Sequence, residues 1–300
     1  MRTIRFALAA SVLAFSAPAL AGEQCSLPKG WQQVLQRNPR YVVFGEIHGS
    51  RESPAFVGNF ACALAKRGER VLVAVELSAR ADAAFQAAWR LPPAQFPGEL
   101  MRQGWVDETD GRGSEAMRDL LIRLHAAESD GMPIAIVAFN GDRDDAQRAK
   151  FAHLPGQEPH EAAQAENVRA AVAAGRYDRV LVLTGNVHAQ KMPIERRGIV
   201  FRPMAVHLAP AAQVVSLNMV TAGGSSWNCQ MRAGYKPVPG QPVGSDAIEC
   251  AAHPLRADAA LDLPQFVSLR PLPGEAATPS YDGVFWLGPV NASPPALPER

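Results

Sequence analysis

Four apolar runs in this sequence end in side chains that can do acid–base chemistry. Tyr41 to Phe44 is followed by Gly45, Glu46, Ile47, His48 and Gly49, and Val71 to Val75 by Glu76. Ile134 to Phe139 is followed by Asn140, Gly141, Asp142 and Arg143, and Val180 to Leu183 by Thr184, Gly185, Asn186, Val187 and His188. An imidazole held in one tautomer by a carboxylate can take a proton from water, while a second imidazole or an arginine steadies negative charge on a carbonyl oxygen. Glu46, His48, Glu76 and His188 are the candidate catalytic groups on this reading, and Asn140, Asp142 and Asn186 the candidate substrate contacts. The same histidines and carboxylates are competent to ligate a divalent metal such as Mn, Co or Zn and to lower the pKa of bound water. Both mechanisms stay open at this point.

Taken singly, each group has a structural reading. A lone His188 is more often a satisfied structural histidine, and Glu76 can pair with an arginine such as Arg80. Arg51 and Glu52 alone read as an exposed loop pair, as do Asp144 and Asp145. Joint placement favours function, because a structural explanation would have to recur independently at four strand ends. His125, His153, His160, His207 and His253 have no such support and read as surface or loop residues.

The elements that position these groups follow from hydrophobic periodicity. The four runs are rich in Val and Ile and nearly continuous, which suits strands buried on both faces of a parallel sheet. Helical patterns alternate with them. Ser53 and Pro54 read as N-cap and first helical residue, with Phe56, Phe60 and Leu64 recurring every fourth position and Gly68 as the stop. Met117, Leu120, Leu121 and Leu124 form an i, i+3, i+4, i+7 stripe, Ala163 to Ala174 an Ala-rich helix, and Trp31, Val34 and Leu35 a short opening helix. Strands alternating with helices predict an α/β fold, with a mostly parallel central sheet, flanking helices and irregular C-terminal additions. In such sheets ligands bind outside the carboxyl ends of the strands, where all four polar clusters fall. The segment from Pro92 to Gly113 breaks the rhythm, as does the chain after Ala209, which holds about half of the 25 prolines and reads as additions with one or two late strands.

Composition narrows the partners. With 47% hydrophobic and 20% charged residues and a formal net charge of +1, there is no electrostatic case for nucleic acid or an anionic membrane surface. A small-molecule or peptide substrate is expected, with no stable membrane span. Residues 1–21 show a basic start, an apolar run and a small-x-small end, which is the secretory order, and leave 22–300 as one α/β domain. Export would place Cys25, Cys62, Cys229 and Cys250 in an oxidising compartment, where pairing by proximity in sequence joins Cys25 to Cys62 and Cys229 to Cys250.

Several stretches, in order, resemble a known superfamily. GEIHGSRE is similar to the G-E-x-x-H-G-[ST]-x-E opening of erythromycin esterases with one residue missing, and its G-E-x-H spacing is closer to the ChaN-like form. VAVE, QAENVRAAV, LTGNVHAQKMP and YDGVFWLGPV resemble the strands and helix that follow. The chain is thereby similar to the superfamily of erythromycin esterases, ChaN-like haem-binding lipoproteins and, more distantly, Tiki/TraB proteases. The resemblance implies an exported hydrolase of an ester, lactone or amide, with His48, Glu76 and His188 activating water and Glu46 supporting them. It adds Arg51 as a substrate or oxyanion contact, and Glu166 and Asn167 from the helix motif. Its Tiki-like branch implies a metal at Glu46, His48 and His188. Its ChaN-like branch implies the alternative, a periplasmic haem or metal carrier without catalysis. The chain is shorter than a macrolide esterase and lacks an obvious large helical lid, which argues against erythromycin as substrate.

Overall fold

A computed structural model describes residues 25–102, 109–236, 243–272 and 278–296; the presequence 1–21 lies outside them. In chain order the elements are α1 (Trp31–Gln36), β1 (Tyr41–Glu46), α2 (Glu52–Lys66), β2 (Val71–Ser78), α3 (Asp82–Trp89), α4 (Phe96–Leu100), α5 (Glu115–Ser129) and β3 (Ile134–Asn140). They continue with α6 (Asp145–Phe151), α7 (Glu158–Ala174), β4 (Arg179–Gly185), β5 (Ile194–Arg196), β6 (Ile199–Phe201) and α8 (Met204–Leu208). The chain then runs through β7 (Val214–Val220), β8 (Gly224–Met231), β9 (Ile248–Leu255), β10 (Phe266–Ser268) and β11 (Gly283–Trp286).

Seven strands form one sheet in the order β10-β11-β7-β1-β4-β2-β3. Every pairing from β11 to β3 is parallel, and only β10 runs antiparallel, beside β11. The α/β architecture expected from the alternating pattern is therefore present. Register brings the strand ends together. Gly45 pairs with Thr184 and Glu46 with Gly185, while Val75 of β2 pairs with Leu183. The groups after β1, β2 and β4 thus leave the sheet at one level and one edge.

The period of two along each strand sorts the core into two layers. Val42 and Phe44 face α2 and α5, where Phe44 meets Phe56, Phe60 and Phe285 edge-on at centroid distances of 6.1, 5.8 and 5.4 Å. Val43, Ala74 and Val182 face the other way, against Ala165 and Val168 of α7 and Met204 and Leu208 of α8. Both faces of the central strands are covered, which is why their sequences read as continuous apolar runs.

Several boundaries differ from the sequence reading. Helix α2 begins at Glu52, and the side chain capping its first turn is Ser50, whose Oγ accepts the Ser53 N–H at 3.4 Å; Ser53 itself is buried inside the turn. Helix α7 starts at Glu158, five residues before the Ala-rich run, because its first turns carry the polar residues Glu158, His160 and Glu161 that periodicity does not mark. After Ala209 the chain supplies three strands to the main sheet plus the β8–β9 hairpin. β7 pairs directly with the central β1, so this part is core as well as addition. His125 is no surface residue: it is buried, stacked on Phe96 at 4.0 Å, with its Nε2 3.1 Å from the Trp89 carbonyl. Arg80 pairs with Asp142 and Asp145, and Glu76 is engaged elsewhere.

Disulfides join Cys25 to Cys62 and Cys229 to Cys250; the second links directly paired residues of β8 and β9. Among the described residues no helix is long and apolar enough to cross a membrane. Phe44 is fully buried on a strand with neighbours on both sides, so its removal leaves a cavity that the sheet cannot collapse into. Phe44→Ala is expected to lower the unfolding free energy by about 3–5 kcal/mol, read by urea denaturation, and a loss below 1 kcal/mol would contradict this packing.

Candidate active site

Pairing of β2 with β3 is regular to Val75 and then shifts, resuming at Ser78 opposite Asn140. Such irregularities re-aim a side chain, and here the residues in the shift are Glu76 and Leu77. Glu76 is 4% exposed. Its Oε2 accepts from the Thr184 hydroxyl and the Gly185 N–H, both at 2.6 Å. Its Oε1 lies 3.6 Å from the Nε2 of His48 and 3.6 Å from the Nε2 of His188. One carboxylate therefore bridges the end of β4 and two imidazoles.

Each imidazole has a second glutamate behind it. His48 Nδ1 donates to Glu46 Oε1 at 2.9 Å, and His188 Nδ1 donates to Glu161 at 2.8 Å. A carboxylate oxygen only accepts here, so Nδ1 carries the proton in both rings and Nε2 is turned to the centre. Glu161 is held in turn by the Met204 N–H at the start of α8. Gly185 leaves room for this convergence: a Cβ there would stand 3.0 Å from His48 Nε2 and 3.4 Å from the His188 ring.

The rings border a cavity of about 540 Å³. Of the residues expected at the site, His48, Glu76, Asn140 and His188 line it. Glu46 stands one layer back, behind His48. The others lie elsewhere: Arg51 Nε donates to the Ala292 carbonyl, Asp142 binds Arg80 and Arg148, and Glu166 binds Arg143, Gln147 and Lys150. Asn186 serves through its backbone, its N–H donating to the Glu46 carbonyl and its carbonyl accepting from the Tyr281 hydroxyl.

Five further groups reach the cavity: Asp110, Arg112, Gln157, His160 and Glu161. Three of them sit on the first turns of α7 or just before it, three or four residues apart, a spacing that puts them on one helix face. The acidic and histidine content of Gln157 to Glu161, next to the family-like helix motif, is the one mark they leave in the sequence, and a solvated first turn leaves the same mark. Asp110 and Arg112 come from the stretch that breaks the strand–helix rhythm. Their turn is held by backbone packing: Gly111, at φ 100°, and Gly49, at φ 78°, both press on the Trp227 carbonyl, where a Cβ would approach to 2.4 and 2.0 Å. Trp227 also donates its indole N–H to Thr109 and its backbone N–H to Gly49. The β8–β9 hairpin thus fastens the turn after His48 to the turn bearing Arg112. A second cavity of about 430 Å³, beside β11, includes Asp258 and Asp282, which are tied to Thr221 and to Arg37 and Lys191, and none of the histidines.

Charges set the protonation states. Burial works against a charged His48, but the carboxylates of Glu76 and Glu46 outweigh it and push its pKa up to about 10. His188 is raised in the same way, against burial, by Glu76 and Glu161, with the charge of His48 opposing. Burial alone would raise Glu76; the two imidazoles and Thr184 instead hold its carboxyl well below the usual carboxylate range. His160, in the cavity wall with its ring 5.7 Å from that of His188, is lowered by desolvation and by the charge on His188. Two imidazoles that charge readily therefore stand beside one that stays neutral.

The Tiki-like branch of the resemblance implies a divalent metal held by Glu46, His48 and His188. The donor set does not match that expectation: Glu46 faces the back of His48, and among the described residues no group of three or more His, Cys, Asp or Glu side chains is arranged to hold a metal ion.

A histidine raised from 6.5 to about 10 contributes stability that is fully present below pH 6.5 and is lost as pH rises through about 10. At about 1.4 kcal/mol per unit this is on the order of 5 kcal/mol, shared with Glu76 because the contacts are the same. The stability difference between wild type and His48→Gln is therefore expected to narrow steadily from pH 6.5 to 10 in urea titrations. A difference that does not change with pH would refute the ion pairing.

No protein-family model matches the sequence, and no curated protein matches it in sequence comparison. Solved structures do match. A succinoglycan biosynthesis protein is 11% identical with a TM-score of 0.59, over 92% of this chain and 95% of that one. A Bacillus cereus protein is 12% identical with a TM-score of 0.57, over 89% and 93%. A mutant of the erythromycin esterase EreC in its open conformation is 15% identical with a TM-score of 0.51, over 77% and 80%. At such identities the likeness is one of fold: the chain shares its overall fold with these proteins, an erythromycin esterase among them, as the order of motifs leads one to expect.

Proposed function

We propose that this protein is an exported hydrolase that uses water to cleave an ester, lactone or amide. The observation that carries the reading is the pair of glutamate-backed imidazoles whose Nε2 atoms both lie 3.6 Å from one buried oxygen of Glu76, at the wall of a cavity. Both imidazoles are raised, His48 the more strongly, and that difference assigns acid and base. His48, with the higher pKa, stays protonated and steadies the carbonyl oxygen as it gains charge. His188, in its neutral form with Nδ1–H held by Glu161, takes a proton from water at Nε2. The water oxygen adds to the carbonyl carbon; the tetrahedral intermediate then collapses, and His188 returns the proton to the leaving oxygen or nitrogen. Glu76 orients both rings and balances the charge they share. Two disulfides and a secretory presequence pattern support export.

Single-turnover assays over a panel of esters, lactones and amides test the reading. His48→Ala and His188→Ala are each expected to lose about 10²–10⁴-fold in kcat/KM, and full activity in both would overturn it. The pH profile is expected to be bell-shaped, rising as His188 loses its proton above its ordinary 6.5 and falling as His48 loses its own near 10. Activity is expected to survive exhaustive chelation; loss that Mn, Co or Zn restores would move the water onto a metal.

A further inference from the structure

The cavity's composition bears on what it accepts. Among the described residues no apolar side chain lines it, whereas small-molecule sites of 300–1,000 Å³ are usually walled mostly by hydrophobic and aromatic groups. Its charges are paired off within the protein. Glu161 faces His188, Glu76 faces both rings, and Asp110 accepts from Arg112 Nε at 3.0 Å on both oxygens. Among the described residues each carboxylate of the wall thus has a cationic or titratable partner inside the protein and is not free to engage a ligand.

Neutral donors remain. Asn140 uses its Oδ1 to accept from Gln164 at 2.8 Å, and Gln157 uses its Oε1 to accept from Arg196 at 3.1 Å. Arginine can only donate, which fixes the Gln157 carboxamide with its amino group outward from that contact. His160 accepts from Gln164 at Nε2, 3.1 Å away, which leaves its proton on Nδ1. Two amide NH₂ groups and one imidazole N–H thus remain as uncharged donors on residues that line the cavity. Their complement is a set of neutral oxygen acceptors.

We propose that the substrate is a small, uncharged, oxygen-rich acyl compound, a hydroxylated ester or lactone, oriented through its acceptor oxygens by Asn140, Gln157 and His160. The acyl part of this statement rests on the hydrolase reading; the oxygen-rich part rests on the cavity wall alone. Desolvating three donors without partners makes an apolar acyl compound a poor occupant, since each unpaired polar group carries its full desolvation cost.

The test separates the two parts by measuring binding apart from turnover. Glucono-δ-lactam, which resists hydrolysis, and the unsubstituted δ-valerolactam are titrated into the wild-type protein by calorimetry. The hydroxylated lactam is expected to bind at least tenfold more tightly. Equal affinity, or no binding of glucono-δ-lactam, overturns the inference even if some ester is hydrolysed; binding without turnover of any ester, lactone or amide sustains it and removes the hydrolase reading. Where turnover is found, the ratio of kcat/KM for glucono-δ-lactone to that for δ-nonalactone is expected to fall at least tenfold in Asn140→Leu and in Gln157→Leu. An unchanged ratio in variants that remain folded by circular dichroism overturns the assignment of those residues.

Discussion

A single buried carboxylate, Glu76, is the constraint on which the site depends. It cannot be left ionised in the interior without partners, because an unpaired buried charge costs several kcal/mol. Its partners come from separate parts of the chain: Thr184 and Gly185 from the end of β4, His48 from the turn after β1, and His188 from the turn after β4. Satisfying Glu76 therefore aligns three central strand ends and turns the Nε2 atoms of both imidazoles to one oxygen. Behind them Glu46 and Glu161 complete the balance, and Glu161 reaches on to the first turn of α8.

This arrangement ties the histidine–glutamate cluster to the least regular part of the chain. Without β7 beside β1, the central strand would have an open edge, and without the β8–β9 hairpin the Asp110–Arg112 turn would lose its seat on Trp227. The disulfide across Cys229 and Cys250 closes that hairpin at directly paired positions. What composition describes as Pro-rich addition is thus structural support for one wall of the cavity.

Legibility in the sequence followed the physics of each feature. The four strands were readable because burial on both faces demands continuous Val and Ile, and the parallel sheet followed from their alternation with helices. His48, Glu76 and His188 were readable because they end those strands. His160 and Glu161 were not, since a polar first turn of a helix looks like any solvated surface until its target is known. His125 failed for a related reason: a lone histidine in a helix stripe has no sequence mark of the Phe96 and Trp89 rings that enclose it. Arg51, Asp142 and Glu166 carry the right chemistry but lie in ion pairs and hydrogen bonds away from the cavity.

The sequence by itself determined the fold class, the strand ends and the identity of the central carboxylate and histidines, because hydrophobic periodicity and strand termination are local properties. Only the tertiary structure decided which glutamate backs which histidine, that Asn140 and Gln157 line the same cavity, and that Glu46 sits behind a ring and not beside it. Those are distances between residues far apart in the chain, and they follow from register and packing, which no local pattern encodes.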